Sequence, residues 1–370
     1  MRVVIAPDSF KESMSAYEAA LSIEKGLKQN QDIETLLCPL ADGGEGTLET
    51  LVKSMNGYIE YYHVCGPLLN KIQAPIGYVN DTAIIECAKV CGLELLEENQ
   101  KNPYYTSTYG LGELIKNALL HRVKKIMICL GGSATNDGGI GMLQALGVHF
   151  YDRNHQEVQP TMQGLFDIHT IDISELIDLS KIKIQGVCDV VNILCGQQGA
   201  TYIFGPQKGV LEEEKEKIDH AMHHYALKTD TLFHHDFRHT PSSGAAGGLG
   251  YALKAYLNGE LRAGFDIVSE TCQLENKIKN SDIVIVGEGK IDRQTQFGKT
   301  PYGVLQIAKK YNKNVYAFAG KVEDVDILKS LGFDNVYQIT PETIELSLAL
   351  KRGKEFLEKC VNQHLEELVQ

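Results

Sequence analysis

KKIMICLGGSATNDGGIG, residues Lys124 to Gly141, runs from an apolar, β-branched stretch through glycines and small polar residues, and then into Met142-Leu143-Gln144-Ala145-Leu146. The order spells a buried strand, a glycine-rich loop and the start of a helix. Glycines let consecutive backbone N–H groups aim at one place, and a helix N-terminus adds positive potential. Gly131 and Gly132 therefore suit an anion, a phosphate above all. Ser133, Asn136 and Asp137 add a hydroxyl, an amide and a carboxylate to the same loop. The plainer alternative is a tight strand-to-helix connection holding no ligand.

Working outward, the same strand–loop–helix pattern recurs at both ends of the chain. Val3 to Ala6 reads as a strand, with Pro7 to Lys11 as the turn after it. Ser15 and Glu18 form a capping-box pair ahead of Ala19, Ala20, Ile23 and Leu27, an apolar helix face. Glu34 to Leu40 is the next strand, followed by ADGGEGT and a helix from Thr47 to about Met55. Near the other end, Asp282 to Val286, Asn314 to Ala319 and Asn335 to Ile339 are strands. Thr300 is expected to cap a helix that has Pro301 in its first turn and runs to Tyr311. Five strands with helices between them make one doubly wound parallel sheet. The expected fold is α/β: a discontinuous flavodoxin- or Rossmann-like domain from 1–57 and 281–370, with a second α/β domain, 58–280, inserted. The insert carries Ala83 to Glu86, Lys124 to Leu130 and Lys183 to Val187 as strands, and a second glycine-rich run, SSGAAGGLG, at Ser242 to Gly250.

Composition narrows the function classes. The 370 residues exceed one ordinary domain, and 43% hydrophobic content supports a sizeable core. Forty-eight acidic against 36 basic side chains leave a net charge of −12, which argues against nucleic acid as a partner. No apolar run nears the ~20 residues of a membrane span, and Arg2 followed by VVIAPD is too short to read as a secretion signal. Nine cysteines without a CxxC pair point to a reduced, cytoplasmic protein. Cys87 and Cys91, four apart, are expected on one helix face.

Chemistry-bearing residues gather at strand ends, where ligands bind parallel α/β sheets. Asp8, Ser9 and Lys11 follow the first strand. Asp42 and Glu45 sit among three glycines in DGGEG and are candidate Mg²⁺ ligands, since that ion takes oxygen donors. Gly287-Glu288-Gly289-Lys290-Ile291-Asp292 follows the strand at Asp282, with Glu288 a third metal candidate, Lys290 a phosphate partner and Asp292 a metal ligand or proton acceptor. Gly298-Lys299-Thr300 ends like a Walker A loop, but Arg293 stands where that motif needs its first glycine. Lys299, a basic residue before a capped helix, still suits a phosphate. Asp189 leaves a strand as a candidate general base, and Lys208 is presented by a Gly-Pro turn. Six of the twelve histidines fall between His220 and His239 without the order of a zinc site, which reads as a solvated helix.

Six ordered motifs, DSFKESMSA at Asp8, LADGGEGT at Leu40, GGSATNDGG at Gly131, CDVVNILCGQQGATYIFGPQKG at Cys188, GAAGGLG at Gly244 and GEGKIDRQTQFGKTPYGV at Gly287, resemble the bacterial type I glycerate kinases (glycerate 2-kinases) nearly end to end. The resemblance implies ATP-dependent, Mg²⁺-assisted phosphorylation of D-glycerate at its 2-hydroxyl, on two α/β domains with the active site in the cleft between them. Such a cleft would close on its substrates to exclude water. Glu12, where the family usually has glycine, and Ile193, where it usually has proline, depart from the pattern. On this reading Asp8, Ser9, Lys11, Ser133, Asn136 and Asp137 bind glycerate. Asp189 or Asp292 takes the hydroxyl proton while Lys11 meets the carboxylate. Gly131, Gly132, Lys208, Gly287, Lys290 and Lys299 serve the nucleotide phosphates, and Asp42, Glu45 and Glu288 the metal. A glycerate 3-kinase, another hydroxy-acid kinase and a non-catalytic ligand sensor are the alternatives, and oligomeric state stays open.

Overall fold

Val3, Val4 and Ile5 lose all exposure in strand β1 (Arg2–Ile5), and their burial anchors a sheet at the start of the chain. The computed structural model describes residues 1–29, 32–41, 43–297, 299–341 and 343–368. Its further strands are β2 (Glu34–Leu37), β3 (Tyr58–Cys65), β4 (Lys71–Val79), β5 (Thr82–Glu86), β6 (Lys125–Cys129), β7 (His149–Tyr151), β8 (Thr170–Asp172), β9 (Lys183–Val187), β10 (Glu260–Arg262), β11 (Ile283–Ile291), β12 (Asn314–Val322) and β13 (Asn335–Gln338).

The chain divides into two compact units. The first comprises Met1–Asp42, Glu49–Asn56 and Phe265–Gln370. It holds a five-stranded sheet in the order β13-β12-β11-β1-β2, parallel throughout. Helix Ala16–Leu27 starts with the expected capping box: Ser15 Oγ accepts from Glu18 N at 3.2 Å, and Glu18 accepts from Ser15 N at 3.0 Å. Its Ala19, Ala20, Ile23 and Leu27 are fully buried against the sheet, each large side chain contributing about 1.5–3 kcal/mol. Glu12 has a φ of 61°, the left-handed region, which explains why the resembling family favours glycine there.

Two local expectations are corrected. The sequence reading ended the strand at Val286, with GEGKI as loop. Instead β11 runs on to Ile291, because β12 extends beside it and pairs Glu288 with Ala319 and Lys290 with Lys321. Thr300 does not cap its helix either. It is the first residue of Thr300–Lys310, behind Lys299, and its hydroxyl donates to the Asp8 carboxylate at 2.6 Å. The cap position belongs to Lys299, whose extended backbone precedes the helix and whose carbonyl accepts from Tyr302 N at 3.0 Å and Gly303 N at 3.2 Å.

The second unit comprises Gly43–Leu48 and Gly57–Gly264. Its six-stranded sheet runs β10-β9-β6-β5-β4-β3, with β5, β6, β9 and β10 parallel and β3 and β4 antiparallel. The antiparallel pair was not foreseen. The units divide at 264/265, where the sequence boundary stood at 280/281. Between those points, Cys272 O lies 3.9 Å from Cys38 Sγ and Lys277 Nζ donates to Leu37 O at 3.1 Å, both within the first unit. The second unit's core stacks Tyr225 edge-on to Phe150 and Tyr251, all fully buried. Among the described residues no helix is long and apolar enough to cross a membrane.

The second glycine-rich run has a mechanical reason. Ala246, Gly247 and Gly248 adopt φ of 52°, 68° and 94° at the head of helix Ala245–Leu257. Gly138 N donates to Gly247 O at 2.9 Å, and a Cβ on Gly247 would overlap the Thr135 carbonyl. The run at Ser242 thus buttresses the loop at Gly131 by direct backbone contact. Gly196 has a comparable φ of 87° but open space where its Cβ would go. Gly247→Ala is expected to cost about 3 kcal/mol, strain plus overlap, and Gly196→Ala only about 1 kcal/mol, from the backbone alone. Urea denaturation compares them, and equal losses would rule out the buttress.

Candidate functional site

In the first unit the strand order reverses between β1 and β11, since β1 connects onward to β2 while β11 lies on its other side. The carboxyl edge at such a switch point is a ligand position in open α/β sheets. Asp8 sits just past β1, its N–H bonded to Gly287 O at 2.8 Å. Its carboxylate accepts from Ser9 N and from the Thr300 hydroxyl, both at 2.6 Å. Glu288, in the extension of β11, places Oε1 3.1 Å from Lys299 Nζ, while its buried Oε2 has no hydrogen-bond partner. Burial pushes the Glu288 carboxyl up to about 7. Lys299 opposes that rise, and the Asp8 and Asp292 charges add to it.

A second cluster lies along the same edge. Lys290 Nζ is 2.8 Å from Glu323 Oε2 and 3.2 Å from Asp292 Oδ2, and Lys321 Nζ is 2.7 Å from Glu323 Oε1. The two lysines draw the Glu323 carboxyl down to about 2. Burial works against the charge of Asp292, yet Lys290 and the Gln294 amide hold its carboxyl below the usual range. Lys299 also donates to Lys290 O at 3.2 Å, which joins the clusters. Asp8, Gly287, Glu288, Lys290, Asp292 and Lys299 are therefore brought together. Ser9 is half-buried in the same turn and Lys11 is exposed beyond it.

The second unit builds a drier site. Lys208 keeps 2% exposure and donates to Ser133 Oγ at 2.9 Å and to Thr135 O at 2.7 Å. Burial draws its ammonium down to about 8, against the opposing influence of Cys91, Asp137 and Cys87. Asp137, fully buried, accepts from Thr108 N at 3.0 Å and Oγ1 at 2.7 Å, and from Gly139 N at 3.0 Å and Gly141 N at 3.3 Å. Burial raises its carboxyl pKa and those four donors restrain the rise. It binds the loop to itself. Asn136 Nδ2 donates to Thr201 Oγ1 at 3.0 Å, while Asn136 Oδ1 and Thr135 Oγ1 are buried without partners. Gly131 is half-buried and Gly132 exposed at the loop's surface. Asp189 is exposed at the end of β9, its Oδ1 accepting from Gly264 N at 2.9 Å.

Two of the three metal candidates fall among the described residues. Glu45 is an exposed residue of the second unit, its carboxyl raised first by a hydrogen bond shared with Glu94, with Lys89 3.9 Å away. Glu288 belongs to the first unit, and Asp42 lies outside the described residues. Among the described residues no three His, Cys, Asp or Glu side chains converge as a metal site. His220, His223 and His224 are exposed on helix Lys215–Phe233. Cys87 and Cys91 are buried together at helix Ala88–Cys91, and Cys87 pushes the Cys91 thiol up. Sequence reasoning missed Glu323, Thr108 and Glu94. Glu323 follows a strand end, so the rule that found Asp292 could have found it. Thr108 and Glu94 carried no local signal.

The profile of the glycerate kinase family matches residues 3–369. The chain is 42% identical over 366 residues to a glycerate kinase of Bacillus subtilis (strain 168), covering 97% of this chain and 95% of that one. It is 44% identical over 344 residues to the glycerate 2-kinase of Escherichia coli (strain K12), covering 92% and 90%. A crystal structure from Salmonella typhimurium LT2, described as a glycerate kinase 2, superposes with a TM-score of 0.91 at 42% identity, over 100% of this chain and 98% of that one.

Glu288 yields a test in solution. Its folded pKa of about 7 exceeds its ordinary 4.5, so the proton it holds stabilises the fold at low pH, and that stabilisation fades as pH rises through 7. In chelated, metal-free protein, Glu288→Gln should match wild type below pH 5 and exceed its unfolding free energy by about 2 kcal/mol at pH 8. Urea titrations at both pH values decide it, and a pH-independent difference would mean the carboxyl titrates normally.

Proposed function

The chain belongs to the glycerate kinase family, and from that premise we propose that it transfers the γ-phosphoryl group of ATP to the 2-hydroxyl of D-glycerate, releasing 2-phosphoglycerate and ADP, with Mg²⁺ on the nucleotide. The observation that carries the reading is the edge of the first unit's sheet: Glu288 with one buried, unpartnered oxygen, beside Asp8, Lys299, Lys290 and Asp292. A carboxylate kept from water beside further carboxylates favours a cation, and lysines at a switch point favour phosphate oxygens. The 44% identity to a glycerate 2-kinase supports the 2-position.

The donor set fits Mg²⁺. Glu288 Oε2, with Asp8 and Asp292 nearby in charge, offers the hard oxygen ligands that ion takes, and Glu45 and Asp42 remain candidates in the other glycine-rich loop. When bound, the ion would offset negative charge on the phosphates. Lys290, Lys299 and the Gly287 backbone are assigned to the phosphate chain. For the acceptor, the candidates are Asp8, Ser9 and Lys11 in the first unit, and Ser133, Asn136 and the Gly131–Gly132 backbone in the second. Lys11 reaches for the glycerate carboxylate. Asp137 supports the loop from within. The reaction forms a bond from the hydroxyl oxygen to the γ-phosphorus, breaks the γ-phosphorus bond to the bridging oxygen, and leaves one proton for Asp189 or Asp292. Nine cysteines, all free thiols, support a reducing, cytoplasmic setting.

Incubating the protein with ATP, Mg²⁺ and D-glycerate is expected to yield a new ³¹P phosphomonoester resonance split by one methine proton, the mark of the 2-position. Splitting by a methylene pair would move the product to the 3-position, and no new signal from folded protein would defeat the proposal. Of Asp189→Asn and Asp292→Asn, the one that removes the proton acceptor should lower kcat ~10²-fold. Unchanged turnover clears that residue of the role.

A further inference from the structure

An ammonium can only donate hydrogen bonds, so Ser133 Oγ, 2.9 Å from Lys208 Nζ, must be the acceptor of that bond. The serine's own proton then points elsewhere, and no acceptor for it exists among the described residues, although Ser133 is only 4% exposed. Two further atoms of the same loop are buried without any partner: the Thr135 hydroxyl, which can donate or accept, and Asn136 Oδ1, which can only accept. Buried polar groups left unmatched are costly unless a ligand or water meets them. A serine proton without an acceptor, beside an amide oxygen without a donor, is the complement of a small molecule carrying both a carboxylate and a hydroxyl.

We propose that Lys208 is a positioning residue that holds Ser133 as an obligate donor to the carboxylate of the hydroxy-acid substrate, with Asn136 Oδ1 accepting a substrate hydroxyl. This rests on the proposed function and moves Lys208 from the phosphates, where the sequence reading put it, to the acceptor. Lys208 cannot meet a polyphosphate while only 2% of it is exposed and two of its three protons are committed to Ser133 and Thr135. The arrangement is also reversible by proton loss. A neutral amine carries a lone pair, so it can accept the Ser133 proton and turn the serine inward. Burial brings that loss to about pH 8, and the neighbouring Asp137, Cys91 and Cys87 delay it.

Steady-state kinetics of wild type, Ser133→Ala, Lys208→Met and the double variant test this. Both single variants should raise KM for D-glycerate roughly 10- to 100-fold, leave KM for ATP unchanged, and combine without further loss, because they break one shared interaction. In wild type, kcat/KM for glycerate should fall above pH ~8, and the fall should vanish in Ser133→Ala. Additive losses, an equal rise in KM for ATP, or a flat pH profile in wild type would overturn the inference. The wild-type profile and Ser133→Ala decide the matter even where Lys208→Met folds poorly. Calorimetric binding of D-glycerate separates the two readings. Ser133-dependent binding without turnover sinks the phosphoryl-transfer proposal and keeps this one, whereas turnover with Ser133-independent binding does the reverse.

Discussion

The carbonyl of Thr135 is the point on which the second unit's site depends. From one side Gly247 approaches so closely that no side chain fits, and from another the Lys208 ammonium donates to the carbonyl oxygen. Three segments far apart in sequence thus share one peptide group. The loop at Gly131 cannot move without breaking a charge-assisted hydrogen bond inside a dry site, where such bonds are strong and their loss is expensive. Asp137 finishes the work by gathering the Gly139 and Gly141 amides and both donors of Thr108. The result is a glycine-rich loop with little of the freedom its composition suggests.

The first unit solves a different problem. Its edge holds four carboxylates, Asp8, Glu288, Asp292 and Glu323, against three lysines, Lys290, Lys299 and Lys321. Most are paired, which keeps side chains in place at small net gain where water reaches them. Glu288 is only half paired: Oε1 meets Lys299, and its second oxygen is neither solvated nor bonded. One unit therefore organises its site around a buried cation and the other around a half-buried, half-satisfied carboxyl.

Sheet strands of the first unit were legible because β-branched runs and strand-end turn residues are local signals. VVIAP and DIVIV name themselves, and the Ser15–Glu18 capping box lies within one turn. What the sequence hid was long-range. Thr300 looks like a cap, but it already lies inside the helix and its hydroxyl donates to Asp8, 292 positions earlier. GEGKI looks like loop until β12 is found beside it. Strand β4 was missed because it contains Pro75, which is tolerated there: its β5 partner pairs only from Gly77 onward. For the candidate site, residue types at strand ends could be named, but not that Lys208 is buried. Burial belongs to the whole unit, and a lysine in a Gly-Pro turn looks solvated.

The division of the chain has a consequence for biosynthesis. The second unit ends at Gly264, whereas the first takes β1's second neighbour, β11, from beyond that point, with β12 and β13 outside it. During translation the insert can complete its sheet while β1 and β2, with Val3, Val4 and Ile5 uncovered, still wait for their neighbours. A two-stranded parallel fragment cannot hold itself together, so those apolar residues stay exposed until β11 (Ile283–Ile291) has been made. Strand β1 is thus made before the second unit but buried after it, and a nascent-chain chaperone would find a long window there.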